Sequence, residues 1–566
     1  MTQYEEQNTR ISRRAWLGSM ALPAAGAAIA SALMERVEAK TAPAEQSAST
    51  SLGARVYDVR AYGAKGDGRA LDTAALQKAI DACAADQGGT VLVPAGTFVI
   101  GSVELKSNVT LRIAASGKLL GSGDGHQYHA VEAIPLRGDT TLEDGNWALL
   151  YAVNAHNITI EGPGTIDGQG AQFHSPVRGT PPPSGLGGNR RPYHFLAYRC
   201  ENLRIRNLSL VDCAYHSIRI IQGKRVWLDG IYIQNRVNSN NDGFHLISTE
   251  HVALSNCIVK SGDDACAMFG SCKNITIANC FFSTRWSVFR FGGGYAENIA
   301  ISNCVLVEVD GCPIKFQGDP GSRFENISFS NLVLKDVTGP ISISIGGRLA
   351  PPNEKLPVIA RNISFSHIHG TVTTNPVSPL SESSLRVGTR SGEGHSAIVL
   401  NCVNDSVLEK ISFDDVHLIF GGGGTAEEAR LEPAKTFGEY FVLGPIPAYA
   451  LYARNCRGIT LTNTRFEVSS QDLRPAVFLD NVEDVAVHGC GAEGNRDAAC
   501  LFRFRNVRHA LLTAIRALAP CTVFLQVEGE NSEAVALDGG DLTRAAKVVT
   551  CLDGAKEDAV RTRLLI

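Results

Sequence analysis

Three carboxylates in this chain have the type and spacing to move protons. Asn240-Asn241-Asp242-Gly243 is followed 21 residues later by Ser261-Gly262-Asp263-Asp264. Opening a glycosidic bond needs one carboxyl that keeps its proton, to protonate the leaving oxygen, and another that is ionised, to activate water or attack. Crowding raises the proton affinity of at least one member of such a set, which supplies the acid near neutral pH. Asp-Gly and Gly-Asp-Asp are also ordinary turn sequences. The set therefore gains chemical meaning only if the fold brings residues 242 and 263 together.

An internal repeat can do that. A short apolar alternation recurs at Asn202-Leu203-Arg204-Ile205, Arg225-Val226-Trp227-Leu228, His251-Val252-Ala253-Leu254, Asn274-Ile275-Thr276-Ile277, Asn298-Ile299-Ala300-Ile301 and Asn326-Ile327-Ser328-Phe329, in steps of 23, 26, 23, 24 and 28 residues. It returns, more widely spaced, from Asn362-Ile363 to Ala534-Val535. Each unit holds two or three short β runs and no helical period, which excludes a leucine-rich horseshoe and a helical solenoid. The pattern predicts a parallel β-helix, in which one coil of ~20–25 residues advances by about 4.8 Å and equivalent side chains stack in ladders. Asn suits such ladders because it tolerates the left-handed turn conformation and its amides can hydrogen-bond along the axis. Cys257, Cys280 and Cys304 each follow an Asn at the same period, so they are expected to stack inside; the fifteen cysteines are odd in number and most lie far apart, which argues against a disulfide framework.

Composition agrees. Of 566 residues 44% are hydrophobic and 19% charged, which excludes a disordered chain; 53 Lys and Arg against 57 Asp and Glu leave a net charge of -4 and no basic excess for nucleic acid. The 56 glycines favour a turn-rich architecture. Residues 1–40 read as a targeting segment: Ser12-Arg13-Arg14-Ala15-Trp16-Leu17 before a weakly apolar run resembles a twin-arginine signal, and that run, with Pro23 and early charge, is a poor membrane span. Export by the twin-arginine machinery to the periplasm or beyond is the expectation. Residues 41–52 read as a linker, 53–545 as one β-helix domain and 546–566 as a tail or C-terminal cap. Asp72 is expected to cap a helix over about 73–86 that plugs the N-terminal end. Loops at about 120–148, 168–195, 370–397 and 419–445 interrupt the coils and could wall a groove.

The two acidic motifs resemble the Asn-Thr-Asp and Gly-Asp-Asp signatures of glycoside hydrolase family 28, the polygalacturonases and rhamnogalacturonan hydrolases. Tyr57-Asp58-Val59 with Gly63 to Gly68, Gly89 to Phe98, and Gly162 to Gly170 resemble that family's opening strand and turn, the strand after its cap helix, and an early coil, so the resemblance spans roughly residues 55–345. It implies a right-handed parallel β-helix and a hydrolase of pectic polysaccharides acting with inversion and no cofactor. It implies Asp263 as general acid, with Asp242 and Asp264 holding and activating water. Asn240, His245, Arg285, Arg290 and Lys315 are the candidate substrate-binding residues. Two departures stand out: where the family has Gly-His-Gly this chain reads Ser283-Thr284-Arg285-Trp286, and Arg-Ile-Lys reads Cys312-Pro313-Ile314-Lys315, so only the lysine remains to meet a uronate. Arg285 or Arg290 could replace the lost contacts, or be solvated turn residues. His245 and His216 could face the groove as pH-dependent donors or be structural.

Two other readings stay open at this stage: a polysaccharide lyase on the same architecture, with calcium on the acidic cluster and Arg or Lys as base, and a glycan-binding β-helix without catalysis. His126 and His129 lack a further metal-ligand pattern, and the early Gly-rich turn lacks the Lys-Ser/Thr of a phosphate loop. Trp286, Tyr215 and Tyr295 could stack on sugar or pack.

Overall fold

A computed structural model describes residues 53–563, apart from 135–145, 174–189, 347–348, 351–353, 377–389 and 433–434. The signal segment of residues 1–40, the linker, and much of the expected second and third loops lie outside the described residues.

The chain winds as a parallel β-helix. One sheet takes fifteen strands in unbroken chain order, from Val103–Glu104 to Ala545–Leu552, so each turn of the solenoid adds one rung. The second, larger sheet carries the apolar repeat read from the sequence. Leu203, Val226, Val252, Ile275, Ile299, Ile327, Ile363 and Ile411 stand in register on successive coils, all buried. Period-two alternation sends these side chains inward and their neighbours to solvent. Phe329, Phe365 and Phe413 stack face to face inside, with centroids 5.1 and 5.0 Å apart.

The turns are set by asparagine. Asn298 donates to Asn274, Asn326 to Asn298 and Asn362 to Asn326, each at 3.2 Å, and all four have φ between 55 and 58°. Asn298→Ala should cost about 1–2 kcal/mol, from the left-handed backbone together with the lost amide bonds. Asn298→Gly should recover the backbone part, which urea denaturation can resolve. The cysteines do stack: all fifteen are free thiols, and the Cys257 N–H donates to Cys280 Sγ at 3.4 Å.

A helix covers Thr73–Ala85 and packs Leu76, Ala79, Ile80 and Cys83 against the first strands. Asp72 precedes it but does not cap it. Its carboxylate accepts the N–H groups of Lys65 (2.7 Å) and Gly66 (2.9 Å) instead, tying down the glycine-rich turn. The tail also differs from the expected boundary at 545: Ala545–Leu552 and Val560–Arg563 pair in parallel with the preceding coil. This last turn has only one neighbour to bury against, so its strands are largely exposed, and the second of them, Val560–Arg563, is mostly polar, which hides the repeat. Loop 421–450 holds two short helices, Ala426–Arg430 and Tyr440–Leu443. An unforeseen hairpin pairs Leu349–Ala350 with Glu354–Lys355, antiparallel.

Candidate active site

The fifteen-stranded sheet forms the floor of the site. Arg219, His245, Ala267, Arg290 and Lys315 stand in register on consecutive strands, a ladder with rungs about 4.8 Å apart. The acidic motifs occupy the turns that lead into this sheet. Gly243 N–H donates to the Asp264 carbonyl at 2.9 Å, which places Asp242 and Asp264 on adjacent coils. A Cβ at Gly243 would meet the Ala265 carbonyl oxygen at 2.5 Å, so only glycine permits this approach. Asn241 is a staple: its amide donates to the carbonyls of Cys213 (3.0 Å) and Tyr215 (2.9 Å). Ser261 Oγ and Thr284 Oγ1 both donate to the Asp263 carbonyl, fixing the second turn.

Asp242, Asp263 and Asp264 meet in a cleft of about 530 Å³, together with Asn240, His216 and His245. Asp242 and Asp264 are buried. Burial, then the charge of Asp264, pushes Asp263 up to about 7, although the Asp264 N–H and Lys315 oppose this. Asp264 is raised by burial against the pull of Lys315 and Arg290. Asp242 is raised well above the carboxylate range by burial and by both other aspartates. Such a crowd retains a proton near neutrality while exposing ionised oxygens, which is the requirement for paired acid and base work. His245 Nδ1 lies 2.7 Å from Asp242 Oδ2 and His216 Nε2 lies 3.6 Å from Asp242 Oδ1.

The comparisons with known proteins bear on the chain as a whole. The model of the glycosyl hydrolases family 28 matches residues 83–385, more than half of the sequence. The chain belongs to this family. A probable polygalacturonase of Arabidopsis thaliana is 26% identical over 404 residues, covering 66% of this chain and 80% of that protein. An exopolygalacturonase of Platanus acerifolia is 25% identical over 402 residues, covering 68% and 95%. Among solved structures, the family 28 exopolygalacturonase of Yersinia enterocolitica superposes with a TM-score of 0.58 at 20% identity, over 76% of this chain and 78% of its own; that likeness concerns the fold, a right-handed parallel β-helix. Family membership makes this chain a polygalacturonase-like glycoside hydrolase and sets aside the lyase and the glycan binder. No helix among the described residues is long and apolar enough to cross a membrane.

Within this family 28 chain, the candidate substrate-binding residues have unequal fates. Asn240 reaches Asp263, its Nδ2 3.5 Å from Oδ2, and also meets Arg191. His245 lines the cleft but is engaged with Asp242. Arg290 points its Nε at Asp264 Oδ2, 4.0 Å away, and its Nη1 has no hydrogen-bond partner. None of Arg290, Arg285 and Lys315 lines the cleft itself; Arg290 stands behind Asp264. Arg285 is buried beside Asp310, Nε to Oδ2 3.6 Å. Lys315, 1% exposed, donates to both oxygens of Glu439, at 2.8 and 3.0 Å, and sits 4.8 Å from the Trp286 ring. Trp286 itself packs against Arg390 (4.4 Å) and Phe441. Tyr215 stacks on His216, whereas Tyr295 is exposed beside Lys273. His126 pairs with Asp124 and His129 with Tyr151, without a shared centre.

Two participants escape a sequence reading. Glu439 comes from loop 421–450, 124 residues from Lys315, and no motif announces it. Arg219 does carry a signal: it stands in the ladder one rung before His245, a position that aligning the coils would expose.

Proposed function

We propose that this hydrolase cleaves glycosidic bonds of an acidic pectic polysaccharide with inversion, Asp263 acting as general acid and Asp242 with Asp264 holding the attacking water. The observation that carries this is the gathering of three proton-hungry carboxylates, two of them buried, in one cleft, with the Arg290 guanidinium 4.0 Å behind Asp264. Asp263 must be protonated to act, so kcat should fall as pH rises through about 7. A kcat that stays flat up to pH 9 would contradict the assignment of the acid.

The preferred substrate is a rhamnose-containing or short acidic glycan rather than plain homogalacturonan. Lys315 is committed to Glu439 and Arg285 is buried beside Asp310 outside the cleft, so fewer cations remain to grip successive uronates than a homogalacturonan chain would use. Lys315, paired with Glu439, stands one rung beyond Arg290 in the sheet. The enzyme is exported by the twin-arginine route, as the Arg13-Arg14 segment indicates. Arg290→Gln should weaken turnover of acidic substrates by about 1.5–3 kcal/mol, roughly 10–150-fold, the worth of a charge-assisted contact. The deciding experiment digests homogalacturonan, rhamnogalacturonan and their oligomers and follows product length and anomeric configuration by NMR. Rapid mid-chain cutting of homogalacturonan, or retained configuration, would overturn this reading.

A further inference from the structure

The hydrogen bonds around Asp242 contain a piece of logic about protons. Arg219 Nη1 donates to His216 Nδ1 at 3.1 Å. A guanidinium has no lone pair to offer, so His216 Nδ1 is bare, and a neutral ring then carries its proton on Nε2. That nitrogen stands 3.6 Å from Asp242 Oδ1, just outside hydrogen-bond distance, while His245 Nδ1 is hydrogen-bonded to Oδ2 at 2.7 Å. The two imidazoles lie parallel, centroids 4.5 Å apart with an interplanar angle of 4°, and are clamped between Tyr215 and Phe269. Burial disfavours imidazolium in both, reinforced at His216 by Arg219 and Arg191 and at His245 by Arg219 and Arg290. The charged groups acting on Asp242 are Asp263 and Asp264 on one hand, Arg219 and Arg191 on the other.

We propose that Arg219, His216 and His245 are positioning residues that present two imidazole N–H groups to Asp242, so that Asp242 stays the ionised acceptor for water and the proton shared by the three carboxylates rests on Asp263. This rests on the hydrolase mechanism above and adds what divides the carboxylates into acid and base. Burial and the charges of Asp263 and Asp264 push a proton toward Asp242; the imidazole N–H donors act against that push by stabilising its ionised form, which leaves the proton to Asp263. A competing use of the same side chains is a divalent metal site, since the ligand atoms of His216, Asp242 and His245 lie within 4.8 Å of one another. Coordination through His216 Nε2 would move its proton to Nδ1, against the Arg219 N–H, so the tautomer that Arg219 selects opposes that use.

The test is a long-range proton–nitrogen spectrum of the full chain labelled with ¹⁵N-histidine, between pH 5 and 8. Signals are assigned by their loss in His216→Asn and His245→Asn. Expected are neutral rings, His216 protonated at Nε2 and His245 at Nδ1. A proton on His216 Nδ1, a bare His245 Nδ1, or Zn²⁺ binding that displaces the His216 proton would overturn the proposal. In kinetics, Arg219→Leu should lower kcat about a hundredfold with KM changed less than about threefold. Arg219→Lys, which can still donate, should restore most of the loss. A rise in KM with kcat intact would mean that Arg219 binds substrate instead. If Arg219→Leu does not fold, the wild-type spectrum and the lysine variant still decide. The spectrum needs no turnover, so failure of the hydrolase mechanism, seen as an active Asp263→Asn enzyme, would leave the tautomers readable.

Discussion

Asp263→Asn should lower kcat by about 10³–10⁴-fold, the loss expected when the proton donor to a poor leaving group is removed. An amide keeps the shape of the side chain and can still accept the Asp264 N–H, but its NH2 then meets the Asn240 donor, and it cannot release a proton. Stability should move the other way. Asp263 has its proton affinity raised by burial and by Asp264, so the folded state binds more protons than the unfolded chain between about pH 4 and 7. Folding therefore loses stability as pH rises through that window, and the amide variant, which has nothing to ionise, should melt higher than wild type at pH 8 while the two converge near pH 4. Activity and melting temperature measured on the same preparations form the check. An active variant sinks the catalytic assignment, and an inactive one that also melts lower at pH 8 shows that Asp263 is a structural residue.

The second large effect lies at the Lys315–Glu439 pair. Both groups are largely buried and Lys315 is almost fully so, which makes breaking the pair costly: Lys315→Ala should destabilise by about 3–5 kcal/mol, much of it from the carboxylate left without its cation. Glu439→Gln should be milder for the fold and sharper for the chemistry. Glu439 raises the proton affinity of Asp263 and Lys315 lowers it. With the carboxylate gone the lysine acts alone, so Asp263 should give up its proton below pH 7, and the alkaline limb of kcat should move to lower pH. Unchanged pH profiles in Glu439→Gln would mean that this pair does not communicate with the acid.

The repeat was legible because the physics behind it is local. Inward Val, Ile and Phe at a fixed period and Asn at left-handed turns leave the same mark on every coil, and the two acidic motifs inherit their proximity from that period. Where the mark fades, so does the reading. The coil of 545–563 has one neighbour and a half-covered face, and Asp72 was free to serve the preceding turn rather than the helix. Arg285 and Lys315 were visible as cations, but the burial of Arg285 beside Asp310 and the commitment of Lys315 to Glu439 were not, because an ion pair across 124 residues is set by where a loop lands. His245 was visible as a polar residue near the motif; its role follows from which nitrogen faces which oxygen.

In a solenoid each coil feels mainly its neighbours, so stability spreads along the axis like a one-dimensional chain in which segments can open separately. Loop 421–450 breaks that rule. It leaves the stack after the strand ending at Phe420 and returns to the coil of Lys315, with Tyr440 Oη donating to the carbonyls of Ile341 and Ala397 on the way. It is a strap across several rungs. Fraying of the coils near 398–454 should therefore withdraw Glu439 from the catalytic centre before any catalytic strand unpairs. Under thermal or denaturant stress the pH profile of turnover should drift while the bulk of the β signal is still intact, and the strap should make the middle coils melt as one cooperative unit rather than unzip.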